Sequence, residues 1–310
     1  MTTALQEIKN SKYMSWEDTF RSWATPPGQT EKTKMENAET AIKKAIANHK
    51  RLSEMDISIF AQGSYNSNTS VKQDSDVDIC IRLNSTFFVR YPEGKTRESY
   101  GNIEGSISFA EYKNLVQEAL NNYFGSQYVT RGNKAFDIHS NSYRVDADAV
   151  PAFAYRYYYG DGVDDYRDPV GIAFDTDKGV RIINWPHHVY NNGVSKQSET
   201  SQRYKKMVRI LKKLRNKMQD ENITASHNVA SFLIESMVWN VPSDKFGKDD
   251  YYDDVRAIMA NCFNSTLKDD ACKEFCEVND IKYLFHSSQP WSREQAHNFF
   301  DAAWNHVGFK

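Results

Sequence analysis

The stretch that decides the fold is Gly63-Ser64-Tyr65, a polar loop, and then Asp74-Ser75-Asp76-Val77-Asp78-Ile79-Cys80-Ile81. An alternating apolar run, Ile57-Ser58-Ile59-Phe60, precedes it and reads as a short strand ending at the small residues. Side chains of a strand alternate in facing, so Asp76 and Asp78 project to one side while Val77, Ile79, Ile81 and Leu83 project to the other. Two adjacent carboxylates repel, and a hard divalent cation such as Mg²⁺ neutralises both through oxygen ligands. A chain with 41 acidic residues also produces such pairs by chance, so a metal site requires a third ligand.

A third ligand is available further on. Two strands are expected at 136–139 and 143–150, joined by a short turn at Ser140-Asn141-Ser142, with Arg144, Asp146 and Asp148 on one face of the second. If that strand neighbours 77–83, Asp148 brings a third carboxylate to the pair. Three acids suit two magnesium ions about 3.5–4 Å apart, which stabilise the attacking and leaving oxygens of an in-line phosphoryl displacement. The third acid would hold the metal near the attacking hydroxyl and can take its proton. Gly63 and Ser64 lie directly after a β-like run, Ser64 being 12 residues before Asp76. Their backbone N–H groups and hydroxyl can hold outer phosphates of a nucleotide, although a lone Gly-Ser is also an ordinary turn.

Composition sets the bounds. The 310 residues allow one large domain or two ordinary ones, and 40% hydrophobic residues supply a substantial core. A formal charge of −2 excludes a generic polyanion binder and leaves nucleotide affinity to local basic clusters. No leader pattern and no apolar run of spanning length is visible, which places the expected protein in the cytoplasm, away from a membrane. Cys80, Cys262, Cys272 and Cys276 form no CxxC pair and read as reduced thiols. Cys272 and Cys276, four apart, permit a metal on one helix face, against the simpler reading of ordinary packing.

In chain order, residues 1–25 read as a helix anchored by Tyr13, Trp16, Phe20 and Trp23 and broken by Pro26-Pro27-Gly28. An amphipathic helix follows at 30–50, carrying Met35, Ala38, Ile42, Ala45 and Ile46. A loop at 91–105 leads to a helix that opens on a capping box, Ser108 and Glu111, and stops at Gly125. Short β-like runs are expected at 155–159, 171–174 and 180–183. A boundary near Ser195 divides a core with N-terminal scaffold helices, 1–195, from a helical lobe, 196–310. Helices are expected in that lobe at 200–219, 226–239 and 291–307, the last with a Ser292 and Gln295 capping box. The fold class is α+β, a mixed sheet flanked by helices with a helical lobe after it.

The run GSYNSNTSVKQDSDVDICI resembles the GS loop and DxD strand of the polymerase-β-like nucleotidyltransferase superfamily. The third acid followed by Ala149-Val150-Pro151-Ala152-Phe153 is similar to the branch that holds oligoadenylate synthetases and the bacterial cGAS/DncV-like enzymes, the CD-NTases. The likeness extends through 204–217 and Ser231-Phe232-Leu233-Ile234-Glu235. It implies an active site in the cleft between core and lobe, with Asp76, Asp78 and Asp148 as catalytic metal ligands for two Mg²⁺ ions, Mn²⁺ being a substitute. It selects Asp148 over Asp146, because the family's third acid lies three residues before such a proline. It also implies that Lys212 contacts the triphosphate, that Ser231 lies at the same phosphates and that Phe232 stacks on a base, where it can equally be core. The activity implied is joining of nucleoside triphosphates, ATP favoured, into a cyclic di- or trinucleotide messenger in antiphage signalling. An operon-encoded activating protein and a downstream effector are the implied partners, and nucleic acid is not required.

The basic helix fits this on physical grounds. Eight of the 15 residues from Arg203 to Lys217 are cationic, and Lys205, Arg209 and Lys212 share one stripe whose repulsion a polyphosphate would relieve. A solvated basic face is the alternative. Asp74 and Asp146 are candidates for supporting acids or plain loop and strand positions. His187-His188 is expected in a loop, the aromatic run 155–159 as a packed strand, and no His/Cys cluster matches the zinc insertion of cGAS. Two other activities stay open: transfer of nucleotides to RNA, a protein or a small molecule, and nucleotide binding without turnover.

Overall fold

The computed structural model describes residues 4–71 and 76–309, with side chains from Tyr13 onward; Asp74 lies outside the described residues. The order is α1 (Ala4–Trp23), α2 (Gln29–Ala47), β1 (Ile57–Gln62), a single turn α3 (Gly63–Asn66), β2 (Val77–Arg90) and α4 (Phe109–Phe124). Then come β3 (Val129–Arg131), β4 (Phe136–Ile138), β5 (Ala147–Tyr157), β6 (Gly171–Asp175) and β7 (Arg181–Asn184). The remainder is helical: α5 (Pro186–Glu199), α6 (Tyr204–Asp220), α7 (Ser231–Asn240), α8 (Tyr251–Ser265), α9 (Asp269–Cys272) and α10 (Arg293–Val307). No helix among the described residues is long and apolar enough to cross a membrane.

By packing, the chain forms two compact units. One holds residues 28–66 and, from 76 among those described, runs to His187; the other holds α1, residues 67–71 and the chain from His188. The first helix therefore packs with the helical unit rather than with the sheet, and the division falls at 187/188 rather than near Ser195.

The sheet unit is a mixed sheet in the order β1-β2-β5-β4-β3, with β6 and β7 continuing from β5. Among the described strands only β2 and β5 run parallel; the other pairs are antiparallel. Val77, Ile79, Ile81, Leu83, Ala147, Ala149 and Phe153 share a core with the apolar stripes of α2 and α4. The alternation of β2 accounts for this, since one face is wholly apolar. β2 runs past the expected end at Leu83 because its register against β5 shifts between Leu83 and Phe87, a bulge that lets pairing resume. The expected strands 143–150 and 155–159 are one strand, β5, beginning only at Ala147. Pro151 is tolerated inside it because the outer neighbour changes there: β4 pairs up to Ala149, and β6 pairs from Phe153.

The helical unit is built around α6, whose Tyr204, Met207, Val208, Leu211 and Leu214 are buried with residues of α7, α8, α10 and Phe20 of α1. Residues 186–188, expected as a loop, open α5; proline fits a first turn, where its missing N–H would be unpaired anyway. Ser108 and Ser292 cap α4 and α10 by accepting the N–H of Glu111 and Gln295. Neither pair is a reciprocal box, since Glu111 turns to Arg51 at 2.7 Å and Gln295 donates to the Asn228 carbonyl at 2.8 Å. Cys272 ends α9, and Cys276 lies beyond it in a bridge with Tyr283, so the two share no helix face.

Candidate active site

The carboxylate row is set by strand register. Asp78 of β2 is paired with Asp148 of the parallel neighbour β5, and Gln62, the last residue of β1, is its partner on the other side. Residues paired across strands share a face, so the two acids stand together opposite the apolar side. Asp76, exposed, lies two residues before Asp78 at the mouth of β2. Burial first, then the charges of Asp148 and Asp76, push the Asp78 carboxyl from 3.8 up to about 6. Burial, then Asp137 and Asp76, raise that of Asp148. Asp78 thus senses the charges of Asp148 and Asp76, and Asp148 those of Asp137 and Asp76.

Gly63 lies against this row. Its φ is +66°, and a Cβ there would collide with the Asp78 carboxylate, so the position accepts glycine for both conformation and space. Ser64 follows in the turn α3, half-buried. An oxygen-only donor set with two raised carboxylates and a backbone without a side chain beside them fits a hard divalent cation. Among the described residues no three His, Cys, Asp or Glu side chains converge on one point; backbone register, rather than a closed cage, is what brings Asp78 and Asp148 together.

Asp137 is an acid that the sequence reading passed over. It sits on β4 directly opposite Asp148 in antiparallel register, with His139 3.8 Å from its carboxylate. A tight turn at 140–142 would have placed it opposite Val145. The true connection is three residues longer, an odd shift that exchanges the faces of the strand. Asp146 lies in that connection, where it accepts the Ser140 N–H at 2.6 Å instead of sharing a strand face with Asp148.

The residues expected at the triphosphate from the later helices lie in the helical unit. Arg209 and Lys212 are not on a free cationic stripe: both are buried, Lys212 at 1% exposure. Lys212 Nζ is 2.9 Å from Glu235 Oε2 and donates to the carbonyl and hydroxyl of Thr69 at 3.2 and 3.3 Å. The Arg209 guanidinium donates to the carbonyls of Ala24 and Asn68. Repulsion along the stripe is therefore relieved inside the unit by a carboxylate and carbonyls. Lys205 is half-buried beside the Tyr190 ring. Ser231 opens α7 and its hydroxyl accepts from Arg215 at 2.9 Å, while half-buried Phe232 meets Trp291 edge-on at 6.5 Å. The His187 ring lies tilted against that of Phe60, with ring centres 4.7 Å apart.

Comparison with known proteins agrees with this architecture. Residues 42–127 match the model of the nucleotidyltransferase domain, and residues 191–308 match that of the cGAS/DncV-like nucleotidyltransferase C-terminal helical domain. Over 296 residues the chain is 40% identical to a cyclic dipyrimidine nucleotide synthase of Legionella pneumophila, covering 95% of this chain and 98% of the relative. It is 38% identical to a synthase of the same name from Cecembia lonarensis, over 94% and 98% of the two chains. Among solved structures, the cyclic dinucleotide synthase of Elizabethkingia meningoseptica, with GTP and Apcpp, superimposes at a TM-score of 0.78. That pair is 32% identical, with 94% of this chain and 99% of the other covered. The carboxylate register, the glycine turn upon it and these matches over nearly the whole length lead to one conclusion: the chain belongs to the cGAS/DncV-like nucleotidyltransferases, the CD-NTases.

Proposed function

We propose that the protein joins two nucleoside triphosphates into a cyclic dinucleotide, releasing pyrophosphate at each of two steps. The observation that carries this reading is the pairing of Asp78 with Asp148 on adjacent strands with Gly63 against them. Asp76, Asp78 and Asp148 would hold two Mg²⁺ ions, with Mn²⁺ a substitute. Bound there, the ions supply charge neutralisation at the attacking and leaving oxygens. Gly63 and Ser64 hold the outer phosphates, and Asp148 orients the ribose hydroxyl and accepts its proton. The hydroxyl oxygen bonds to the α-phosphorus of the second nucleotide, whose bond to the β-phosphate oxygen breaks.

The relatives at 38 and 40% identity are named for pyrimidine products, so pyrimidine triphosphates replace ATP as the favoured substrates of this reading. Messenger synthesis implies an effector that binds the product, and antiphage signalling is the role we assign to it. The test is incubation with all four NTPs and Mg²⁺ or Mn²⁺, phosphatase digestion and mass spectrometry of the resistant product. A resistant cyclic dinucleotide absent from Asp76→Asn supports the reading. Equal product from that variant, or none from the wild type under any activating condition, defeats it.

A further inference from the structure

Residues 67–71, Ser-Asn-Thr-Ser-Val, leave the α3 turn directly and pack in the helical unit. The first four are polar, yet Ser67, Thr69 and Ser70 are buried, Thr69 completely. Irregular backbone in such a place needs a partner for each polar group. Two cations of α6 supply them: Arg209 donates to the Asn68 carbonyl at 2.5 Å and Lys212 to the Thr69 carbonyl at 3.2 Å. Thr69 in turn donates from its hydroxyl to Glu235 Oε2 at 2.8 Å, closing a triangle with the Lys212–Glu235 ion pair. Asn68 adopts a left-handed φ of 54°, which aims successive carbonyls at the two cations and suits asparagine.

Burying two cations and a carboxylate is costly unless their geometry is well satisfied, and replacing such a pair by apolar groups is often neutral for stability. What this arrangement secures is a conformation. Only Ser67 lies between the last residue of the α3 turn and the first pegged carbonyl, a distance of about two Cα steps of 3.8 Å. We propose that Arg209, Lys212 and Glu235 are positioning residues: by pegging Asn68 and Thr69 they hold the chain leaving Ser64 in the conformation that receives the triphosphate. This rests on reading Gly63 and Ser64 as the phosphate turn, and it gives Lys212 a role other than touching phosphate.

The test compares full-length wild type with Lys212→Met/Glu235→Met, Lys212→Arg and Thr69→Val. Amide hydrogen exchange over residues 64–71 and steady-state kinetics with NTPs are the two readouts. The double variant is expected to exchange at least tenfold faster in this segment and to raise KM about tenfold, with kcat changed much less. Lys212→Arg should restore most of both. Should the double variant fail to fold, Thr69→Val removes the hydroxyl bridge at constant volume and is expected to shift both readouts about threefold. A higher KM with unchanged exchange would make Lys212 a direct phosphate ligand and overturn the proposal, as would faster exchange with unchanged kinetics. A wild type that makes no nucleotidyl product would instead remove the underlying reading of the site, while exchange would still report on the peg.

Discussion

Replacing Asp78 by asparagine is expected to stabilise the metal-free protein while abolishing its chemistry. The carboxyl ionises at about 6 in the folded chain against 3.8 ordinarily, because it is desolvated and faces Asp148 and Asp76. At about 1.4 kcal/mol per pH unit, ionised Asp78 costs the fold roughly 3 kcal/mol. The sign follows from proton binding. Below about pH 4 the group is protonated folded and unfolded, and contributes no difference; between about 4 and 6 the folded state binds the extra proton, so stability falls as pH rises. The amide of the Asp78→Asn variant mimics the protonated form throughout. Its advantage should be small at pH 4, grow through pH 6 and level off at roughly 3 kcal/mol above pH 7, or roughly 6–12 °C in Tm for a unit of this size. Urea unfolding in EDTA across pH 4–8 measures it. Divalent cations should raise the Tm of the wild type and barely move that of the variant. An Asp78→Asn protein less stable than wild type at pH 8 in EDTA, or an advantage independent of pH, would refute the electrostatic account of the row.

Gly63→Ala should leave the far-ultraviolet circular dichroism intact but reduce product formation at least a hundredfold, since the methyl group displaces the Asp78 carboxylate and the left-handed φ adds about 1–2 kcal/mol. Asp177 tests the sheet unit apart from the site: Arg131 and then buried Lys113 hold its carboxyl well below the usual carboxylate range. Because that pKa is depressed, its contribution is present above about pH 4 and fades as pH falls below it. Asp177→Asn should cost about 1 kcal/mol at pH 7, discounted for its partial exposure, and the gap should narrow in acid as followed by urea unfolding.

Period and punctuation alone determined much of this protein. The strand of Asp78 with Asp76 just ahead of it, the glycine turn before them, the stripes of α2, α4 and α6, and the capping serines 108 and 292 are local matters, decided by spacings of a few residues. What the tertiary structure decided is pairing at long range. Asp148 faces Asp78 because β2 and β5 are parallel neighbours, and Asp137 faces Asp148 because the connection between β4 and β5 is longer than the turn residues suggest. Arg209 and Lys212 read as a free cationic stripe until Glu235 and the carbonyls of Asn68 and Thr69 are seen against them. No periodicity records a partner 23 or 143 residues away, because the energy that selects it is the cost of burying a charge, which exists only once the chain has folded around that charge.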